Sequence, residues 1–204
     1  MMLFDRIAHF AHSDPHSTAL SGSNHRISYE QLWLQISALA DRLQQAGIAR
    51  LALQLDNGLP WALIDLACAK AGIVVIPVPH FFSPEQQEWL LESSGADALI
   101  GPHHQGWQAS APLLLSVGEL PLWRIQPVRV PTLPAGTAKI TYTSGSTGQP
   151  KGVCLSLAHM MAVCESLAQR VAPAGVEKHL TLLPLTTLLE NLTGLYVPLL
   201  TGAN

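Results

Sequence analysis

Apolar residues recur at helical spacing between Ser28 and Gly47 and mark the first long element of the chain. Spacings of three and four residues place an apolar stripe along one face of a helix. Ser28 precedes the stripe and Gln31 occupies the capping-box position three residues later, so we expect the helix to begin there. Gly47 supplies the stop signal. The stripe consists of Leu32, Ile36, Leu39, Ala40 and Leu43.

Strand and helix patterns alternate after this helix. Runs at 50–55, 73–78 and 97–101 predict strands, and the second is apolar on both faces, as in a buried parallel strand. Helices are predicted over about 60–71 and 83–95. Strands that alternate with helices imply crossover connections. We therefore expect an α/β fold with a mostly parallel sheet flanked by helices.

The second half of the chain begins less regularly. Five prolines after Pro102 interrupt residues 102–136, which we interpret as an irregular connection with one or two short strands. Residues 188–200 are apolar nearly all round, which predicts a buried helix. Because its neighbour in a longer chain is absent, we expect the isolated chain to self-associate or to expose an apolar face around residues 188–200. The other predicted elements are strands at 138–143, 152–156 and 179–184 and a helix over 159–171.

Composition narrows the class of protein. Hydrophobic residues make up 48% and charged residues 12% of the 204 residues, which is enough for a core and leaves little charged surface. The net charge of −3 and the scattered basic residues give no footprint for nucleic acid. No stretch has the pattern of a secretory signal or the length of a transmembrane segment. Three cysteines, far apart along the chain, indicate free thiols in a reducing cytoplasm.

The run YTSGSTGQPKG, residues 142–152, carries the candidate chemistry. Its glycines let the backbone turn tightly, its hydroxyls donate hydrogen bonds, and its successive N–H groups can form a nest for an anion. The run therefore suits a phosphate chain. It differs from a Walker A loop, because Pro150 precedes Lys151 and Gly152 stands at the Ser/Thr position. The candidate ligand-binding residues are Thr143, Ser144, Gly145, Ser146, Thr147, Gly148 and Lys151.

This run resembles the phosphate-binding signature of the adenylate-forming, or AMP-binding, enzymes, which include acyl-CoA synthetases, peptide-synthetase adenylation domains and luciferases. Stretches 27–48, 66–78 and 183–203 are similar to further motifs of that family. The last of them is most similar to fatty acyl-CoA synthetases. The resemblance implies that residues 1–204 form the N-terminal α/β part of the adenylate-forming fold.

The resemblance also implies a ligase reaction in two steps. A carboxylate attacks the α-phosphate of MgATP and releases pyrophosphate, and a thiol of coenzyme A or a carrier protein then displaces AMP. Thr143 would be the Mg²⁺ ligand together with ATP. Lys151, the candidate catalytic residue, would neutralise the leaving pyrophosphate or order the loop. The expected substrate is a fatty or related carboxylic acid, and the expected setting is cytoplasmic fatty acid metabolism.

The sequence departs from the family pattern at two places. Leu157 follows Ser156 where the family has histidine, and Thr186 and Thr187 follow the LPL motif where it has histidine or an aromatic residue. The adenine-binding segment and the C-terminal domain of the family have no counterpart in this sequence. We expect the chain to be an N-terminal piece that needs the missing C-terminal part of the same enzyme and is inactive alone.

Other interpretations remain open at this point. The departures favour a non-catalytic, degenerate AMP-binding-like module that binds or interacts, and the loop could be a Ser/Gly hairpin without a ligand. The histidine pairs His9–His12 and His103–His104 have no carboxylate or cysteine at ligand spacing, which argues against a metal site. Glu190, in an apolar helix, either lines a pocket or pairs with a group in the missing part.

Overall fold

The computed structural model describes residues 2–102, 108–110, 113–115, 118–143 and 149–203. The helices are α1 (Met2–Ser13), α2 (Tyr29–Gln45), α3 (Leu59–Ala71), α4 (Pro84–Ser94), α5 (Leu157–Val171), α6 (Leu188–Glu190) and α7 (Val197–Thr201). A 3₁₀ turn covers Ala172–Ala174, and a π-helical turn, Asn191–Tyr196, joins α6 to α7. The strands are β1 (Thr18–Ser21), β2 (Arg26–Ser28), β3 (Arg50–Leu53), β4 (Val74–Pro77), β5 (Ala98–Ile100), β6 (Gln108–Ala109), β7 (Leu113–Leu115), β8 (Gly118–Leu120), β9 (Leu122–Arg124), β10 (Thr137–Thr143) and β11 (Lys151–Ser156).

A seven-stranded sheet in the order β11-β10-β4-β3-β5-β9-β6 organises the described part of the chain. Its centre is parallel, because β3 pairs with β4 and β5, and β10 pairs with β4, all in the same direction. Both edges are antiparallel. The predicted α/β fold is confirmed, and the sheet is mixed rather than mostly parallel. At one edge β10 and β11 are consecutive strands that form a hairpin, which needs no crossover, whereas the parallel pairs at the centre do.

The helix ends follow the signals in the sequence. Ser28 and Ser83 each accept a hydrogen bond from the backbone N–H three residues later, and the glutamine at that position closes the capping box. Gly72 and Gly95 end α3 and α4 at φ of 72° and 65°. A left-handed cap at these angles favours glycine. These caps fix where α2, α3 and α4 meet the sheet.

Two apolar cores lie on the two faces of the sheet. Strand β4 serves both, since Val75 belongs to one core and Ile76 to the other. The larger core takes in residues of α1, α2, α3, α5 and α7. The smaller one packs under α4, through residues such as Leu90 and Leu91. Helix α3 is buried from Leu59 to Ala69 on nearly every side, which explains its weak amphipathic pattern.

The connection over 102–136 contains more strand than the sequence predicts. We expected one or two short strands, and the described residues hold β6, β7, β8 and β9. Strands β9 and β6 extend the main sheet, and β7 pairs with β8 in a separate two-stranded sheet. Runs of two or three residues between prolines are too short to show a strand period.

Two expectations about the last thirty residues are wrong. Residues 179–184 have no strand assignment, and Leu180 and Leu182 are 74% and 77% exposed. Side chains hold this segment instead, since Asn57 Nδ2 donates to the Leu183 carbonyl at 2.7 Å. The apolar face of residues 188–200 is not exposed as a whole, because most of it packs against α1 and α5, and self-association of the isolated chain stays a prediction. The exposed leucines lie mainly in the preceding segment.

Candidate functional site

The β10–β11 hairpin places two of the predicted site residues opposite one another. Thr143 is the last residue of β10 and Lys151 the first of β11, and the two are register partners in the antiparallel pair. Both are exposed. A hydroxyl and an ammonium group therefore stand at the same end of the hairpin, at either side of the glycine-rich run. The other predicted residues, Ser144, Gly145, Ser146, Thr147 and Gly148, lie outside the described residues.

Strand alternation gives β10 two different faces. Ile140 and Tyr142 are buried in the core under α4. Lys139 points to the opposite side of the sheet, where it is only 2% exposed. Successive side chains on a strand point to opposite faces. The strand that leads to Thr143 is thus fixed on both sides.

Gly152, the glycine of the Pro-Lys-Gly motif, is required by packing. It is the register partner of Tyr142. A Cβ atom at this position would lie 2.9 Å from Ile140 Cγ2 and 3.0 Å from Tyr142 Cζ. Both distances are shorter than a side chain accepts without movement of its neighbours. The absence of a side chain at residue 152 lets the Tyr142 ring lie across β11.

Helix α4 bonds to both strands of the hairpin. Trp89 Nε1 donates to the Pro150 carbonyl at 3.1 Å. The Ser93 and Tyr142 hydroxyls are 2.8 Å apart and hydrogen-bonded. Burial raises the pKa of Tyr142, so its hydroxyl stays protonated and can donate at neutral pH. We call these two hydrogen bonds the α4 contacts.

Behind the hairpin lies a second polar group, the Asp65 network, formed by Asp65, Lys139, Asn191 and Tyr196. Lys139 Nζ donates to Asp65 Oδ1 at 2.6 Å and also to Asn191 Oδ1. Asp65 Oδ2 accepts from Asn191 Nδ2 at 3.1 Å and from the Tyr196 hydroxyl at 2.8 Å. All four residues are at most 2% exposed. Both charges are therefore paired and hydrogen-bonded, as a buried ion pair requires.

The π-helical turn explains how Asn191 and Tyr196 reach the same carboxylate. They are its first and last residues. At about 100° per residue, positions five apart on an α-helix lie about 140° apart around the axis. The wider π-helical turn, with its i→i+5 hydrogen bonds, brings such positions closer to one face. The network thus ties α3, β10 and this turn together.

Neither the Asp65 network nor the α4 contacts were predicted from the sequence. Lys139 is the single charged residue of β10, and Asp65 is the single charged residue in the first ten residues of α3; both are buried. Isolated buried charges need partners, so each could have been flagged. The partner and its distance depend on how α3 packs against the sheet. Trp89 and Ser93 carry no comparable signal, since both residue types are common on a half-exposed helix.

The thiols of the two cysteines near the Asp65 network are expected to be unreactive. Cys68 and Cys164 are buried. Burial raises the pKa of both thiols, that of Cys164 to about 11. Cys154, on β11, is partly accessible. All three thiols are free.

Glu190 has a structural partner. Its Oε1 accepts from the Leu182 backbone N–H at 3.0 Å. A Cβ at Gly194 would lie 2.8 Å from the same oxygen, so the glycine leaves room for the carboxylate. The carboxylate therefore anchors the exposed segment before α6.

Metal ligands are sparse where the chain can be described. Those residues contain no group of three histidine, cysteine, aspartate or glutamate side chains able to hold a metal. Mg²⁺ in nucleotide sites usually has one or two protein ligands and takes its other oxygens from phosphates and water. The exposed Thr143 hydroxyl fits that limited role. A Mg²⁺ ion here would come with a nucleotide.

A groove of about 740 Å³ lies elsewhere on the described surface. The β1–β2 hairpin, the start of α3 and residues 178–181 line it. Neither Thr143 nor Lys151 contributes to its wall.

The chain is similar in sequence to known proteins of one family. The family model described as AMP-binding enzyme matches residues 7–204. The chain is 32% identical over 186 residues to the feruloyl-CoA synthase of an Amycolatopsis species, which covers 86% of this chain and 37% of that protein. It is 28% identical over 173 residues to the fatty acid–[acyl-carrier-protein] ligase ScoC of Streptomyces coeruleorubidus, with 78% and 33% covered.

Solved structures share the fold. The o-succinylbenzoate coenzyme A synthetase MenE of Bacillus subtilis, in complex with AMP, superposes with a TM-score of 0.73 at 18% identity. The match covers 97% of this chain and 54% of that one. The chain thus spans about a third of the curated relatives and about half of this structure. Over the described ranges, no helix combines the length and the apolar character that crossing a bilayer requires.

Proposed function

Because the chain belongs to the AMP-binding enzyme family, we propose that the natural protein carrying it is an ATP-dependent acid–thiol ligase of the acyl-CoA synthetase type. The observation that carries the proposal is the register of the hairpin, which pairs Thr143 with Lys151 at the end of the two strands, where both residues are exposed. An ATP triphosphate carries several negative charges and many acceptor oxygens. A cation and a hydroxyl at one end of a glycine-rich hairpin match those needs.

The proposed reaction has two steps. An oxygen of the substrate carboxylate bonds to the α-phosphorus of ATP, and the bond from that phosphorus to the bridging oxygen breaks, which releases pyrophosphate. A thiol sulfur then bonds to the acyl carbon of the acyl-adenylate; AMP leaves and the thiol proton passes to solvent. Phosphoryl-transfer chemistry depends mainly on position and charge.

The residues of this chain would act on the leaving side of the first step. Lys151 would hold the β- and γ-phosphates and offset the charge that develops on pyrophosphate. Thr143, with Ser144, Ser146 and Thr147, would direct hydroxyl donors at the phosphate oxygens. Mg²⁺, held by the nucleotide and the Thr143 hydroxyl, would supply further charge neutralisation.

The names of the relatives support a range of acids and acceptors. One relative is a feruloyl-CoA synthase and another a fatty acid–[acyl-carrier-protein] ligase. We propose a fatty or aromatic carboxylic acid as substrate and coenzyme A as acceptor, with a carrier-protein thiol as the alternative. The three free thiols favour a cytoplasmic location. The chain covers about a third of these relatives, so residues beyond it would complete the site and the chain alone would be inactive.

Acid-dependent exchange between ATP and labelled pyrophosphate tests the proposal. The natural protein should exchange label with MgATP only when a suitable acid is added from a panel of fatty and aromatic acids. Lys151→Ala should lower the exchange rate at least about 100-fold, the size expected when one charged stabilising group is lost. Lys178→Ala, which removes another exposed lysine, is the matched control.

Two results would count against the proposal. Exchange that ignores added acids would exclude an acid ligase. Tight MgATP binding without exchange under any acid would favour the degenerate binding module instead.

A further inference from the structure

We infer that Trp89 and Ser93 of α4 are positioning residues for the phosphate-binding hairpin, and that they act through Pro150 and Tyr142 on the placement of Lys151. The inference rests on the proposed function. It concerns residues outside the glycine-rich run and outside its flanking strands. The geometry of the α4 contacts supports it.

The first contact lies where the strand ladder stops. Thr143 and Lys151 are the last register pair described on the hairpin. Pro150 comes next and has no N–H to donate, so its carbonyl is the backbone group available there. Pro150 is buried, and Trp89 Nε1 donates to that carbonyl at 3.1 Å. The indole hydrogen bond thus fixes the backbone one residue beyond the last register pair of β10 and β11.

The second contact holds the partner strand. Trp89 and Ser93 are four residues apart on α4, so they share one face of the helix. Ser93 bonds to the Tyr142 hydroxyl at 2.8 Å. One turn of α4 therefore bonds both sides of the hairpin, Pro150 on one side and Tyr142 on the other.

The close approach at Gly152 links the two contacts. The Tyr142 ring lies against the Gly152 backbone, with 3.0 Å from Cζ to the position of an added Cβ. A shift of Tyr142 would therefore press on β11 next to Lys151. Fixing Tyr142 through Ser93 fixes the backbone beside the lysine.

The exposure of Trp89 argues that this bond serves position more than stability. The Trp89 side chain is 38% exposed, so its N–H could bond to water instead. A half-exposed hydrogen bond adds little to the free energy of unfolding. The Trp89 hydrogen bond does, however, favour one position of the Pro150 carbonyl oxygen. Lys151 follows that carbonyl directly.

Steady-state kinetics of the natural protein test the inference. Trp89→Phe keeps an aromatic ring and removes the N–H. We expect it to raise KM for MgATP about three- to ten-fold, the range that loss of one hydrogen bond gives. KM for the acid should stay within two-fold, and the midpoint of thermal unfolding should barely change. Ser93→Ala should shift KM for MgATP in the same direction.

Trp123→Phe is the matched control. Trp123 Nε1 also donates to a backbone carbonyl, that of Gly101, at 3.0 Å. It lies on β9, near the far edge of the sheet from β11. This variant should leave KM for MgATP unchanged. The two variants thus compare the loss of an indole hydrogen bond near the hairpin with the loss of a similar bond far from it.

The outcomes separate the inference from the proposed function. An active wild-type protein whose Trp89→Phe variant keeps KM for MgATP within two-fold overturns the inference alone. An equal rise in both KM values, or an equal effect of Trp123→Phe, also overturns it, because the effect is then general. A wild-type protein without acid-dependent exchange overturns the proposed function and this inference with it.

Discussion

The two sides of β10 are held by opposite kinds of polar chemistry. On one side Lys139 enters the Asp65 network, where both charges are fully buried and bonded. On the other side Tyr142 meets Ser93 through neutral hydroxyls, and Trp89 next to it is half exposed. A buried ion pair tolerates no loss of one partner, whereas neutral bonds near the surface can be exchanged for water. We interpret the first side as the rigid support of the hairpin. The second side, with its neutral hydrogen bonds, sets the exact position of the hairpin.

The largest effect should come from removal of the Lys139 charge. Lys139→Met leaves the Asp65 carboxylate buried without its cation, and we expect the free energy of unfolding to fall by about 3–5 kcal/mol. Urea denaturation of the chain measures this. The double variant Asp65→Asn with Lys139→Met removes both charges and should recover most of the loss. Equal instability of the single and double variants would contradict the charge explanation.

A smaller effect is expected at Gly152. Gly152→Ala forces a methyl group into the space that Ile140 and Tyr142 occupy, and overpacking of this kind costs about 1–3 kcal/mol. Urea denaturation again gives the value. The cost should shrink in a Tyr142→Leu background, which removes one of the two obstructing groups. If the cost is the same in both backgrounds, Tyr142 is not the obstacle.

Matched tyrosine variants compare the two sides most evenly. Tyr196→Phe deletes a hydroxyl that donates to the buried Asp65 carboxylate, which should cost about 1.5–3 kcal/mol. Tyr142→Phe deletes a neutral hydroxyl pair and should cost about 0.5–1.5 kcal/mol. Both changes remove one oxygen and keep the ring. A larger loss for Tyr142→Phe would reverse our assignment of the rigid side.

Thiol reactivity should differ between the two sides without any change in stability. Cys68 and Cys164 lie near the Asp65 network, where burial raises the pKa of each thiol. At pH 8 a thiol with a pKa of about 11, as for Cys164, is almost entirely protonated and unreactive. Cys154 is more accessible. Iodoacetamide followed by mass spectrometry should label Cys154 first, and equal labelling of all three would show that the core opens.

Local signals predicted most of the fold. The capping boxes at Ser28 and Ser83 and the glycines at 72 and 95 set the helix ends where the sequence placed them. Residues 179–184 show the limit of this reasoning, because an apolar run has strand character only where a partner strand pairs with it. The short strands β6 to β9 were missed for a related reason, since pairing defines them more than period does.

The composition of residues 142–152 predicts a phosphate loop, and that role stays a prediction. The residues that support the hairpin could not be predicted from the sequence. The residues that bond to each other in the α4 contacts and the Asp65 network lie between 49 and 131 positions apart in the sequence, such as Ser93 with Tyr142 and Asp65 with Tyr196. No local pattern encodes such pairs. Asp65 and Lys139 could have been flagged as isolated charges in buried elements, without their identity as partners.

The central claim is that the β10–β11 hairpin holds the phosphates of ATP. Hydrogen exchange of the natural protein with and without saturating MgATP tests it most directly. We predict slower amide exchange across residues 141–153 on addition of MgATP, with no change at β9, near the far edge of the sheet from β11. Unchanged exchange across 141–153 at saturation would contradict the claim.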